Sequence, residues 1–266
     1  FRVGQIGARR RCPGRAGLDV ERVVPNCHVF RPYVHDGEVT TTPDPRHPET
    51  VLLVDLDGTV TDSFAGIENS FRHALAVVGA PEPDPRIVAG IAGPPMIDTL
   101  NALGLSPETA DKAMRAYRER YTEVGWLENS VFDGMAELLA DLAAGGRTLA
   151  IATSKNQTTA RRILEHFGLA GHFRYIAGAS DDGTRREKAD VIASALAELG
   201  LPTDPQTGHV TTPVVMIGDR SHDVLGAAEF GISAILVRWG YALGGEDQGA
   251  TWVVESVAEL RDVLGA

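Results

Sequence analysis

From residue 50 onward, apolar positions follow two periods in turn. Short continuous apolar runs occupy 51–55, 147–152, 173–178, 213–218 and 233–238, with a weaker one at 251–254. Between them, apolar residues return at helical spacing over 133–145, 156–167, 185–200, 221–230 and 256–264. A short unbroken apolar run suits a strand covered on both faces, as parallel strands are. Alternating strands and helices predict βα units joined by right-handed crossovers. The expected fold class is therefore α/β, a Rossmann-like three-layer core around a parallel sheet.

Residues 63–130 break this rhythm. They carry no convincing strand and read as three or four helices. Phe64, Ile67, Phe71, Leu75 and Val78 mark one apolar stripe. Ser106-Pro107-Glu108 opens a second helix, with serine as N-cap and proline at the first position, and that helix carries Ala113, Ala116, Tyr117 and Tyr121. The expected organisation is a core over 50–62 and 131–266 with a helical cap at 63–130 inserted after the first strand. Gly66 and Gly134 lie near the crossings, where they could serve a hinge. Residues 1–49, with Arg9-Arg10-Arg11 and scattered prolines, hold neither period and read as a disordered tail. The start at Phe1 instead of Met suggests a truncated or mis-started reading frame. Cys12 and Cys27 both fall in this stretch and are read as free thiols.

The 266 residues suffice for one large domain or a core with an insert. No apolar run approaches the roughly 20 residues that span a bilayer, and the start lacks the apolar block of a secretory signal. A cytoplasmic protein without a membrane partner is expected. The net charge of −11 is uneven: residues 1–48 carry +3, so the rest carries −14. An acidic body of this kind excludes broad nucleic-acid binding. Lysine occurs only at 112, 155 and 188.

Candidate chemistry lies where the apolar runs end. Val51-Leu52-Leu53-Val54 leads into Asp55-Leu56-Asp57-Gly58-Thr59. Gly58 permits a sharp turn, and two carboxylates on that turn reach the space above the sheet edge, where open α/β sheets bind ligands. One can be a nucleophile and the other an acid/base. A second run ends in Thr153-Ser154-Lys155, placing hydroxyls and a helix start where a phosphate can sit. Lys188 opens a helix within Arg185-Arg186-Glu187-Lys188, and Arg185 and Arg186 add neighbouring positive charge. The run 214–218 ends in Gly218-Asp219, with Asp223 one turn into the next helix, an arrangement suited to a hard cation.

In this order and spacing the four segments resemble the haloacid dehalogenase-like phosphohydrolase superfamily over about residues 50–266. The insert looks like the helical cap of its phosphoglycolate phosphatase-like branch. Gly178-Ala-Ser-Asp-Asp-Gly183 and Asp219-Arg-Ser-His-Asp223 are similar to actinobacterial members, among them a mycobacterial protein assigned as a protein-tyrosine kinase. The resemblance implies that Asp55 is the nucleophile forming an aspartyl-phosphate and Asp57 the acid, then the base. It implies Mg²⁺ bound by Asp55, the Asp57 carbonyl and Asp219, with Asp223 in support and with Thr153, Ser154 and Lys188 on the phosphoryl group.

The second aspartate argues against carbon–halogen cleavage, which has no alkoxide to protonate. Lys188 lacks the flanking prolines common in this branch. Gly93-Pro94-Pro95-Met96 occupies the place of a substrate-specificity loop without naming a ligand. Arg118 and Arg120, on the Ser106-capped helix, read as solvated surface arginines, the alternative being that one faces a substrate carboxylate or second phosphate. The leading expectation is a Mg²⁺-dependent phosphatase of a small phosphorylated metabolite, phosphoglycolate-like. Phosphotransfer to a protein partner stays open, though no Gly-rich nucleotide loop is present. A phosphomutase, a pyrophosphatase and a non-enzymatic binding protein also stay open.

Overall fold

The computed structural model describes residues 42–266. The chain runs through β1 (Val51–Val54), β2 (Thr61–Asp62), α1 (Phe64–Val78), α2 (Pro85–Ala89), α3 (Met96–Ala102), α4 (Pro107–Glu123) and β3 (Ser130–Val131). It continues through α5 (Met135–Ala144), β4 (Leu149–Asn156), α6 (Gln157–His166), β5 (Tyr175–Ala179), α7 (Lys188–Glu198) and β6 (Val214–Gly218). It ends with α8 (Ser221–Ala228), β7 (Ser233–Val237), β8 (Trp252–Val254) and α9 (Val257–Leu264). Six strands form one parallel sheet in the order β5-β4-β1-β6-β7-β8.

The apolar runs become strands because both of their faces are covered. Leu52 and Val54 of β1 join Ile151, Ile217 and Ile235 in one core, where Leu138 and Leu139 of α5, Ile163 of α6 and Leu260 of α9 pack. Val51 and Leu53 point the other way, towards Val191 and Ile192 of α7 and Val224 of α8. The sheet is thus the middle of three layers, and each buried leucine or isoleucine contributes roughly 1.5–3 kcal/mol. The chain leaves β1 for β4 and β5 on one side, then returns to β6 on the other. That reversal opens a crevice at the C-terminal end of β1, where α/β sheets take their ligands.

Residues 64–123 form four helices, with a 3₁₀ turn following at Gly125–Leu127. Phe71, Ala74 and Leu75 of α1 share a core with Ala110, Ala113 and Ala116 of α4, as the apolar stripe predicts. Ser106 caps α4 by accepting from Thr109 N at 3.2 Å. The entry and exit of this region pair as an antiparallel ribbon, Thr61 with Val131 and Asp62 with Ser130. The sequence pattern predicts no strand there, since two residues are too few to show a period. Gly66 lies inside α1, where an added Cβ would overlap the Gly125 carbonyl. This close approach requires glycine at 66.

Three further expectations change. Residues 42–49 are not an unstructured tail. His47 N donates to Asp44 O at 3.1 Å and Thr50 N to His47 O at 2.9 Å, and the nearly buried Arg147 guanidinium donates to Pro45 O at 2.8 Å and Thr50 O at 3.3 Å. The tail reading of 1–41 and the thiols of Cys12 and Cys27 lie outside the described residues. Helix α7 starts at Lys188, not 185, because Arg185 staples the preceding loop: Nε donates to Gly178 O at 2.7 Å and Nη2 to Gln157 Oε1 at 2.7 Å. Arg120 is no solvated arginine; it grips Glu128 at 2.9 and 3.0 Å and donates to Ser70 Oγ at 3.0 Å, whereas Arg118 is exposed. No described helix is long and apolar enough to cross a membrane.

The Gly66 contact is testable. Gly66→Ala forces α1 from the Gly125 turn and is expected to destabilise the protein by about 1–3 kcal/mol. Urea unfolding followed by circular dichroism measures it, and an unchanged midpoint would refute the close approach.

Candidate functional site

Three backbone segments meet at the crevice with almost no space between them. Asp55 N donates to Ile217 O at 2.8 Å, which continues the β1–β6 ladder and fixes where the Asp55 side chain leaves the sheet. Gly58 then turns with φ 77°, and a Cβ at Gly58 would overlap the Asp219 carboxylate. A Cβ at Gly240 would overlap both the Gly58 carbonyl and Asp219. The glycines let the carboxylates of two neighbouring strands converge.

Asp55, Asp219 and Asp223 are all buried, and one carboxylate oxygen from each lies within 4.8 Å of the others. Lys188, buried as well, answers part of this charge: Nζ lies 2.9 Å from Asp55 Oδ1 and 2.6 Å from Asp223 Oδ1, and it donates to Ala152 O at 3.0 Å. Burial pushes the Asp55 carboxyl up to about 6 against the pull of Lys188. Burial, then the charges of Asp223 and Asp55, raises Asp219 well above the usual carboxylate range. Burial also opposes ionisation of Asp223, but Lys188, His222 and the Arg220 N–H together outweigh it and the carboxyl falls below its ordinary value. Asp219 Oδ2 accepts from Tyr241 N at 2.6 Å, while Oδ1 is buried without a partner. Three carboxylates, one ammonium and an orphaned acid oxygen fit a hard divalent cation.

Asp57 stands two residues on, with different partners. Ser63 Oγ donates to its Oδ1 at 2.5 Å, and Lys155 Nζ lies 2.8 Å from its Oδ2. Thr153 is buried, and its Oγ1 accepts from Lys155 N at 3.2 Å; Ser154 is half-buried beside it at the strand end. Lys188 is thus in direct contact with Asp55 and Asp223, and Asp219 has a carboxylate oxygen within 4.8 Å of theirs. Asp57, Thr153 and Ser154 follow along the ends of β1 and β4.

Several participants carry no sequence signal of their own. Tyr241, from an aperiodic loop, accepts at its hydroxyl from Ser63 N at 2.8 Å and donates to Asp62 Oδ1 at 2.9 Å. Glu246 of the same loop accepts from one edge of Arg220, Nε at 2.7 Å and Nη2 at 2.9 Å, and Arg220 Nη1 donates to the Ala92 carbonyl ahead of α3. A Cβ at Gly93 would meet Arg220 Nη1 at 2.8 Å and His222 Cε1 at 2.9 Å, so the 93–96 loop rests against the start of α8. Arg186 pairs with Asp98 of α3, so the extra positive charge expected beside Lys188 is engaged elsewhere, as is that of Arg185.

The profile of the haloacid dehalogenase-like hydrolases matches residues 52–237. The chain belongs to the haloacid dehalogenase-like hydrolase family. It is similar to the tyrosine-protein kinase PtkA of Mycobacterium tuberculosis, 50% identical over 83% of this chain and 74% of the relative. It is also similar to a 5′-nucleotidase of Pseudomonas aeruginosa, 40% identical over 82% of this chain and 96% of that one. A solved structure of a predicted phosphatase from Clostridium acetobutylicum superposes with a TM-score of 0.73 at 36% identity, over 82% of this chain and 99% of that chain. Within the haloacid dehalogenase-like family this chain is a phosphatase-type hydrolase with the family's α/β fold.

Without a bound cation the raised Asp219 carboxyl is a burden on the fold. A carboxyl whose folded pKa lies above its unfolded value weakens the folded state once pH exceeds the unfolded value. Asp219→Asn is therefore expected to raise Tm in EDTA at neutral pH, by about 2–4 °C per kcal/mol relieved, with the gain shrinking as pH falls towards 4. Mg²⁺ is expected to raise Tm of the parent and not of the variant. Scanning calorimetry with and without Mg²⁺ checks both; a lower Tm for the variant in EDTA would contradict the assignment.

Proposed function

We propose that this protein is a cytoplasmic Mg²⁺-dependent hydrolase of a small phosphomonoester, phosphoglycolate-like, working through an aspartyl-phosphate on Asp55. The observation that carries this reading is the different environment of two neighbouring carboxylates. Asp55 is buried against Lys188 and the Asp219–Asp223 pair, whereas Asp57 faces a serine and a lysine at the crossing into the helical cap. Separate environments suit separate roles.

In the first step an Asp55 oxygen attacks phosphorus, and the bond from phosphorus to the ester oxygen breaks as Asp57 gives that oxygen a proton. In the second step a water attacks the same phosphorus, Asp57 takes its proton, and the Asp55 carboxylate leaves. Lys188 offsets the repulsion between an anionic nucleophile and an anionic phosphoryl group, and Thr153 and Ser154 orient the phosphoryl oxygens. Asp55, Asp219 and the Asp57 carbonyl, with Asp223 in support, would hold Mg²⁺, which when bound would supply further positive charge beside the phosphoryl group. The 93–96 loop rests on Arg220 and His222, and in this reading it meets the remainder of a small ester.

A second reading, phosphotransfer to protein tyrosine, draws on the 50% identity with PtkA. It would reuse the same carboxylates with a tyrosine hydroxyl in place of water. A phosphomutase or pyrophosphatase would differ only in what accepts or leaves.

The test is phosphate release with Mg²⁺ from phosphoglycolate, p-nitrophenyl phosphate, sugar phosphates, nucleotides and pyrophosphate. Asp55→Asn is expected to lower turnover by about 10³-fold or more, and EDTA to abolish it. Undiminished turnover in the variant would sink the mechanism. Labelling of tyrosine from ATP, with negligible phosphate release, would favour the second reading.

A further inference from the structure

Lys155 is a buried cation that the two steps above do not use. Its side chain is only 8% exposed. Nζ touches Asp57 Oδ2 at 2.8 Å and donates to the Tyr121 hydroxyl at 2.8 Å, lying 4.6 Å from the centre of that ring. Tyr121 belongs to α4, in the helical region, and stacks on Tyr117 of the same helix with ring centres 5.7 Å apart. The β4–β5 register shifts between Ala152 and Asn156, and Lys155 sits within that irregularity. A bulge of this kind re-aims a side chain. Lys155 is thus an ammonium held between a carboxylate of the sheet edge and a phenol hydroxyl of α4.

The two Asp57 oxygens are therefore held by unlike groups. Lys155 can only donate, so the oxygen it holds, Oδ2, has to remain an acceptor. Ser63 is a hydroxyl that can donate to a carboxylate or accept from a carboxylic acid. The mobile proton of Asp57 is thus carried on Oδ1, and the direction of that oxygen depends on where Lys155 anchors the other.

We propose that Lys155 and Tyr121 are a positioning pair, which aims the Asp57 carboxyl at the leaving-group oxygen only while α4 is seated over the end of β4. The inference rests on the acid/base role of Asp57 argued above. Lys155 neither gains nor loses a proton; it fixes the carboxyl through which the proton passes. With the helix displaced, the Tyr121 hydroxyl is withdrawn, Lys155 loses one of its two side-chain anchors, and the acid loses its aim. Proton delivery is thereby tied to closure of the site.

Leaving groups separate this role from a structural one. p-Nitrophenolate leaves with little need of a proton, whereas an alkoxide leaves only with one. Tyr121→Phe keeps the ring stack and removes the hydroxyl; Lys155→Met keeps most of the volume and removes the charge. With Mg²⁺, each variant is expected to lower kcat on the most rapidly cleaved alkyl phosphate by at least about tenfold more than on p-nitrophenyl phosphate, within the 10²–10⁴-fold scale of general acid catalysis. KM is expected to stay within about threefold for both esters. Equal losses on both esters, or a loss confined to KM, would overturn the proposal, the latter marking Lys155 as a direct substrate contact. Asp57→Asn is the control. If it shows no leaving-group dependence, the acid role itself fails; if it does while both other variants do not, only the coupling to α4 fails.

Discussion

More negative charge is buried at the end of β1 than the protein balances. Asp55, Asp219 and Asp223 converge out of water with Lys188 as the ammonium among them. Like charges in a low dielectric repel strongly, and an isolated buried carboxylate costs several kcal/mol. The rest of the architecture holds that arrangement in place. The three-layer core fixes β1 and β6 side by side, glycines at 58 and 240 remove the atoms that would keep the carboxylates apart, and α7 delivers Lys188 from the opposite layer. A fold that concentrates charge in this way is predisposed to bind a cation and to handle an anionic group.

The layers were legible because their physics is local. Val51–Val54 and Val214–Gly218 are apolar at every position before the turn, which only a strand covered on both faces requires. The acidic residues sit directly after those runs, so the site's location followed from the strand ends. The α1 and α4 helices were legible from Phe71, Leu75 and Ala113, one apolar stripe apiece. What escaped depends on partners distant in sequence. The β2–β3 pairing joins residues about seventy positions apart, and each strand is two residues long. Lys155 stands out in the chain as a rare lysine at a strand end, but its partner Tyr121 lies 34 residues away on another element. Tyr241 and Glu246 lie in a loop with no period at all. Arg185 and Arg120 look like surface charge until their acceptors are in view.

Arginine joins the helical region to the sheet at several places. Arg220 reaches the Ala92 carbonyl, Arg186 pairs with Asp98, and Arg162 donates to Thr122 O at 2.9 Å while stacking over Trp126 at 3.7 Å. A planar guanidinium can hold a carboxylate on one edge and a carbonyl on another, which a lysine cannot do. Arg220 does so, with Glu246 on one edge and Ala92 on the other. Aromatic contacts, Trp126 with His166 and Phe64 with Tyr241, join the same two regions alongside these polar ones.

The β2–β3 ribbon has a consequence for how such a protein can change over generations. The chain departs at Asp62 and comes back at Ser130, and those two residues face one another across a single rung. Everything between could be exchanged for a two-residue hairpin turn, or for a different fold of any size, without moving a strand of the sheet. The strand-end carboxylates and most of the inserted helices can thus be altered separately, as a tool holder accepts different heads, with Ser63 and Tyr121 the inserted residues that reach Asp57 and its lysine partner.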